Sequence, residues 1–132
     1  MHSITVTSHI KATPEKVWDI IGDPSSISSW HPVISESPVS GSDRLCTLAD
    51  GAEIHERIES IDQEGRNYVY SITKSPLPLL SYRSTINVEG EGDGAAVTWS
   101  ADFEPNGAPA EDVAKLLTGV YQAGLAALRS TF

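Results

Sequence analysis

Tyr82-Arg83-Ser84-Thr85-Ile86-Asn87-Val88-Glu89-Gly90-Glu91-Gly92-Asp93-Gly94-Ala95-Ala96-Val97-Thr98-Trp99-Ser100-Ala101-Asp102-Phe103 reads as two alternating runs on either side of a glycine-rich turn. Alternation with a period of two puts every second side chain on one face of a strand. With Glu91 to Gly94 as a four-residue loop, Val88 faces Val97, Ile86 faces Trp99, Ser84 faces Ala101 and Tyr82 faces Phe103. All eight then share one face, as cross-strand packing requires, and a slip of one residue would turn the whole set to water. The stretch is a long antiparallel hairpin with one apolar face, and such a face needs a cover.

The cover lies downstream. Val113, Leu116, Leu117, Val120, Tyr121, Gly124, Ala127 and Leu128 follow the i, i+3, i+4, i+7 rule behind Pro109, Glu111 and Asp112, which mark a helix start. Such a helix of about 20 residues is roughly 30 Å long, enough to cross a sheet. Upstream, the chain from Val33 alternates apolar stretches with turns at Ser40-Gly41-Ser42, Asp50-Gly51 and Asp62 to Gly65, a run of antiparallel strands. A glycine bulge at Gly65 would shift one register and set Ile58 opposite Tyr70 and Glu56 opposite Ile72. Ile4, Val6 and Ile10 alternate with Thr5, Thr7 and His9 as a first strand. Thr13-Pro14-Glu15 then opens a short helix with a hydroxyl cap, a proline at its first position and an acid in its first turn. Asp23-Pro24 opens a second over Ser25 to Ser29, which ends at Trp30-His31-Pro32.

The expected architecture is an α+β domain spanning residues 1–132, with a curved seven-stranded antiparallel sheet wrapped around a long C-terminal helix and two short helices after the first strand. One helix does not fill the concave side of a strongly curved sheet, so a cavity is expected between them.

Composition narrows the function. A mass of 14.2 kDa implies roughly 6,800 Å² of folded surface, which leaves a sizeable core without staples. Nine basic against eighteen acidic residues give a net charge of −9, which disfavours nucleic acid and anionic membrane surfaces. No apolar run reaches bilayer length, and the N-terminus alternates where a signal peptide would be continuously apolar, so no membrane insertion and a cytoplasmic location are expected. The lone Cys46 reads as a structural thiol. His2, His9, His31 and His55 are scattered without metal-ligand spacing, and there is no phosphate-cradling loop or nucleophile elbow. No metal and no cofactor are implied.

Glu56 is the most informative position, because it falls in the inward set Ala52, Ile54, Glu56, Ile58. A carboxylate there implies a raised pKa or a hydrogen-bonding partner, and so either a ligand contact and acid/base group or a structural bond to a tyrosine hydroxyl. His31, after Trp30 in a turn expected at the cavity rim, either meets a polar ligand group or ties the turn to a backbone carbonyl. Tyr70, Tyr82, Trp99 and Tyr121 face inward as core or as ligand wall, each with a polar tip. Ser75-Pro76-Leu77-Pro78-Leu79-Leu80 puts three leucines in a stiff loop, which either packs permanently on the helix or opens and closes. Gly119 and Gly124 each cost the helix about 1 kcal/mol relative to alanine, so close approach, a bend or room for ligand is expected to offset them.

In its order and spacing of motifs the chain resembles the START-like, birch-pollen-allergen-like superfamily known as SRPBCC, and within it the small bacterial polyketide cyclase/dehydrase-type proteins. Four stretches carry the resemblance: Ala12-Thr13-Pro14-Glu15-Lys16-Val17-Trp18, Trp30-His31-Pro32, Ser75-Pro76-Leu77-Pro78 and Val97-Thr98-Trp99-Ser100. The resemblance implies a helix-grip fold whose cavity binds hydrophobic or amphipathic small molecules, and Pro76, Leu77 and Pro78 resemble the gate of its hormone-receptor branch; the expected contacts, from their inward or rim positions, are Trp30, His31, Glu56, Tyr70, Tyr82, Trp99 and Tyr121. The first reading is a non-catalytic carrier or sensor of a small hydrophobic ligand, including lipids. The alternatives are a cyclase or dehydratase with Glu56 and His31 as acid/base, and a co-chaperone-like interaction module. Monomer and homodimer both stay open.

Overall fold

A computed structural model describes residues 1–132, and in it the deciding hairpin is β7 (Leu79–Glu91) and β8 (Gly94–Pro105). Tyr82 pairs with Phe103, Ser84 with Ala101, Ile86 with Trp99 and Val88 with Val97, the register expected from the alternation. The turn is tighter than expected: Glu91 pairs with Gly94, which leaves Gly92 and Asp93 alone at the tip. Gly92 has φ 59°, and a glycine with positive φ at the first central position suits a two-residue turn that follows the strand twist. All eight facing residues except Ser84 belong to the apolar core, and Ser84 is itself fully buried.

Upstream of the hairpin come β1 (His2–Ile10), α1 (Pro14–Ile21), a 3-10 turn (Pro24–Ser26) and α2 (Ile27–Trp30). The Thr13 hydroxyl caps α1 by accepting from the Lys16 N–H at 3.3 Å. The second helix is split: Asp23 caps the 3-10 turn at Ser25 N–H, and α-helical geometry begins only at Ile27.

The remaining strands are β2 (Ile34–Glu36), β3 (Val39–Ser40), β4 (Asp43–Leu48), β5 (Glu53–Asp62) and β6 (Asn67–Lys74), followed after β8 by α3 (Ala110–Ser130). The sheet runs β1-β8-β7-β6-β5-β4-β2, with β3 also on β4, so it has eight strands where seven were expected. The extra strand arises at Ser37-Pro38. Pro38 has no N–H for the ladder, and the Ser37 hydroxyl turns away to donate to the Ser25 carbonyl at 2.7 Å, so one edge strand becomes two short ones.

Between β5 and β6, Ile58 pairs with Tyr70 and Glu56 with Ile72, as the pattern implied. The residue that shifts the register between the turn and these pairs is Glu59, within the strand, and not Gly65 as expected; a second shift follows at Thr73 of β6, between the Glu56–Ile72 and His55–Lys74 pairs. Gly65 sits in the turn, and the left-handed residue there is Arg66, at φ 54°. A bulge inside a strand bends it, and here it helps to curl the sheet.

The helix α3 buries Val113, Leu117, Tyr121, Gly124, Leu125 and Leu128, and it lies mainly against β1 and β8. Leu125 takes the place in the core that the periodic reading gave to Leu116, which is 44% exposed. Because α3 covers the β1–β8 end, the concave side of β4, β5 and β6 is left for α2 and the loop before β7 to close. The total surface, 6891 Å², fits a compact chain of this mass. No helix is long and apolar enough to cross a membrane.

Candidate functional site

A cavity of about 230 Å³ lies where α3 leaves the sheet uncovered. Leu116, Leu117, Val120 and Tyr121 of α3 form one wall, and Ile54, Tyr70, Ile72, Tyr82 and Trp99 of the sheet form the opposite one. Ile27, Val33, Ile34, Cys46, Leu48 and Leu77 complete it. Fifteen of its seventeen lining residues are hydrophobic, and the other two are His31 and Glu56. A wider groove of about 400 Å³ beside β3 and β4 has only two hydrophobic residues among nine and stands open to water.

Glu56 faces inward as expected, and its partner is Arg44, which lies directly across on β4. Arg44 Nε donates to Glu56 Oε1 at 2.7 Å, with the arginine side chain 0% and the glutamate side chain 8% exposed. Arg44 Nη1 donates to the Pro24 carbonyl at 2.9 Å and to the Tyr68 hydroxyl at 3.2 Å, and the guanidinium lies 4.7 Å from the Tyr70 ring centre. Burial pulls its pKa down, but the Tyr68, Glu56, Cys46 and Tyr70 groups around it outweigh burial and hold it well above the usual value. The Cys46 thiol also donates to Glu56 Oε1, at 3.2 Å, and burial followed by the Glu56 charge pushes its pKa up, so it stays a thiol.

His31 is 1% exposed, and both its nitrogens are engaged. The Val33 N–H donates to Nδ1 at 3.2 Å, so the ring hydrogen is on Nε2, which donates to the Val120 carbonyl of α3 at 2.8 Å. Burial lowers its pKa, with the Val120 bond opposing, and the ring is neutral. This contact explains Gly124. A Cβ there would stand 2.5 Å from His31 Cδ2 and 3.1 Å from Trp99 Cζ3, whereas one on Gly119 would meet nothing within 4 Å. Close approach of helix to turn is therefore the reason for Gly124, and no packing contact explains Gly119.

The aromatic wall is one connected network. Trp99 stacks on Tyr121 with ring centres 4.2 Å apart. Trp99 Nε1 donates to the Tyr70 hydroxyl at 3.2 Å and to Ser84 Oγ at 3.0 Å. Tyr70 bonds Tyr82 at 3.1 Å, Tyr82 bonds Tyr121, and Tyr121 bonds Ser84 at 2.8 Å. Ser84 in turn donates to the Ser100 carbonyl at 2.8 Å. Burial, the first cause for each, pushes Tyr70, Tyr82 and Tyr121 well above the ordinary phenol value, so all three stay protonated.

Two groups of expected contacts sit differently. Trp30 does not line the cavity; it packs behind it, with ring centres 5.7 Å from Trp99 and 5.9 Å from His31. Of the Pro76-Leu77-Pro78 segment only Leu77 reaches the cavity, and Leu79 and Leu80 belong to β7, where alternation leaves Leu80 70% exposed. Sequence reasoning missed Arg44 and Ser84, which do not line the cavity but hold the polar groups of side chains that do. A symmetric turn centred on Asp50-Gly51 would set Leu45 opposite Glu56; the loop is instead the odd three-residue Ala49-Asp50-Gly51, and this one-residue shift brings Arg44 across from Glu56. No group of three or more His, Cys, Asp or Glu side chains is gathered as a metal ion needs.

A family model described as polyketide cyclase / dehydrase and lipid transport matches residues 1–132. No protein of curated function gives a match. The protein XoxI from Bacillus cereus is 37% identical, with a TM-score of 0.97 over 100% of this chain and 96% of that one. An uncharacterised protein from Bacillus thuringiensis is 36% identical, with a TM-score of 0.95 over 99% and 98% of the two chains. A START superfamily protein from Mycobacterium smegmatis shares the fold, with a TM-score of 0.85 at 15% identity over 99% and 97% of the chains.

Proposed function

The chain belongs to the polyketide cyclase/dehydrase and lipid-transport family, and from that premise we propose that it is a non-catalytic carrier or sensor of a small hydrophobic or amphipathic molecule held between α3 and the sheet. The observation that carries the reading is the apolar cavity of about 230 Å³. An apolar void of about 150 Å³ accommodates benzene, so this one suits a molecule of one or two rings, and a long acyl chain enters only if α3 and the Leu77 loop part.

Catalysis by Glu56 and His31 finds less support. Acid/base chemistry by the pair needs two groups free to exchange protons at one point, and both His31 nitrogens are taken by backbone, which leaves Glu56 Oε2 without a second group beside it.

Titration with indane, a two-ring hydrocarbon, followed by NMR shifts of α3 and of the Trp99 indole, tests the reading. Saturable binding at one site is expected, abolished by Val120→Trp, which fills the cavity from the helix side. No saturable binding, or binding that V120W leaves unchanged, would refute it.

A further inference from the structure

We infer that the cavity accepts hydrogen bonds and donates none, so that its ligand is an apolar body bearing a donor such as a hydroxyl, and that molecules whose polar group only accepts are rejected; this rests on the ligand-binding reading above. The argument is an accounting of protons. An indole N–H only donates and a carbonyl oxygen only accepts, so the two ends of the aromatic network fix its direction. Ser84 has one hydroxyl hydrogen and gives it to the Ser100 carbonyl, so at the Tyr121–Ser84 bond Tyr121 is the donor. Tyr121 has then spent its hydrogen, so Tyr82 donates to Tyr121, and by the same step Tyr70 donates to Tyr82. Trp99 feeds the chain at Tyr70 and Ser84. Every hydrogen runs one way, from Trp99 through Tyr70, Tyr82 and Tyr121 to Ser84 and Ser100, and none is left for a guest.

The other polar side chains on the wall follow suit. His31 Nε2 gives its hydrogen to Val120, and the Cys46 thiol gives its hydrogen to Glu56. The two buried donors without partners, Trp30 Nε1 and Arg44 Nη2, belong to side chains that do not line the cavity. Acceptors remain. Each tyrosine oxygen in the chain takes one hydrogen bond and has a lone pair to spare, and Glu56 uses only Oε1. A ligand hydroxyl therefore finds partners, whereas a ketone or carboxylate gives up its water for nothing.

Indane, 1-indanol and 1-indanone share one skeleton and test the inference by calorimetric or NMR titration of the whole protein. 1-Indanol is expected to bind at least about tenfold more tightly than 1-indanone, the discrimination that one unmade buried hydrogen bond produces. Ser84→Ala removes the acceptor for Tyr121 and frees its hydrogen for a guest, so the ratio is expected to shrink several-fold, mainly through tighter indanone. Tyr82→Phe frees the Tyr70 hydrogen to the same effect and serves if S84A does not fold. Indane binding with equal affinities for alcohol and ketone, or a preference for the ketone, would overturn the inference and leave the ligand-binding reading standing. An alcohol preference unchanged in every folded variant would refute the one-way chain. Failure of all three compounds to bind would remove both.

Discussion

Replacing Gly124 with alanine sets two effects of opposite sign against each other, and the structure says which wins. In an exposed helix interior the change stabilises by about 1 kcal/mol. At Gly124 the new Cβ would stand 2.5 Å from His31 Cδ2, 2.9 Å from Nε2 and 3.1 Å from Trp99 Cζ3, and both rings are buried. Overpacking of this kind costs about 1–3 kcal/mol. Pushing the imidazole back also breaks its bond to the Val120 carbonyl and strands a buried N–H, a further ~1–3 kcal/mol. The balance is a loss of about 3 kcal/mol, or roughly 10 °C in Tm for a chain of this length. Thermal and urea denaturation followed by circular dichroism measure it, with Gly119→Ala as control. Gly119 has nothing within 4 Å of its would-be Cβ, so that variant is expected to gain about 1 kcal/mol. A Gly124→Ala protein as stable as the parent would show that the close approach of α3 to His31 is not what requires the glycine.

His31 predicts a pH dependence with a definite sign. Its folded pKa lies below the ordinary 6.5, so below that pH the unfolded chain takes up a proton that the native ring refuses. Stability is therefore full above about pH 6.5 and falls as the pH drops through it. Urea midpoints at pH 7.5 and 5.5 should differ in that direction, and His31→Gln should reduce the difference; an unchanged difference would assign the effect to other groups. For the buried ion pair, Arg44→Met or Glu56→Gln alone is expected to cost about 3–5 kcal/mol, because each strands a buried charge. The double variant Arg44→Met/Glu56→Gln should cost less than the sum of the two losses, and full additivity would mean that the charges are not coupled.

The readings that held were those that rest on short-range periodicity. In β7 and β8 the alternation is unbroken on both strands, so one turn assignment was enough to place eight side chains, and the register survived although the turn proved shorter. Glu56 could be assigned to the inner face by the same parity. What parity does not carry is where a strand bends. The bulge moved from Gly65 to Glu59 because curvature of the whole sheet, and not the local turn residue, decides where an extra residue is absorbed. The place of Trp30 behind Trp99 depends on how α2 docks, which no periodicity along the chain carries.

Taken alone, the order of residues determined which face of each strand is apolar, that a helix covers the sheet, and that a carboxylate points inside. Those follow from periods of 2 and 3.6 residues, which act over one element at a time. Only the folded chain decided that the carboxylate meets Arg44, that His31 is spent on α3, and that three tyrosines pass their hydrogens in one direction. These are relations between groups that are far apart along the chain, and a hydrogen bond exists only where donor and acceptor are brought within about 3 Å of each other.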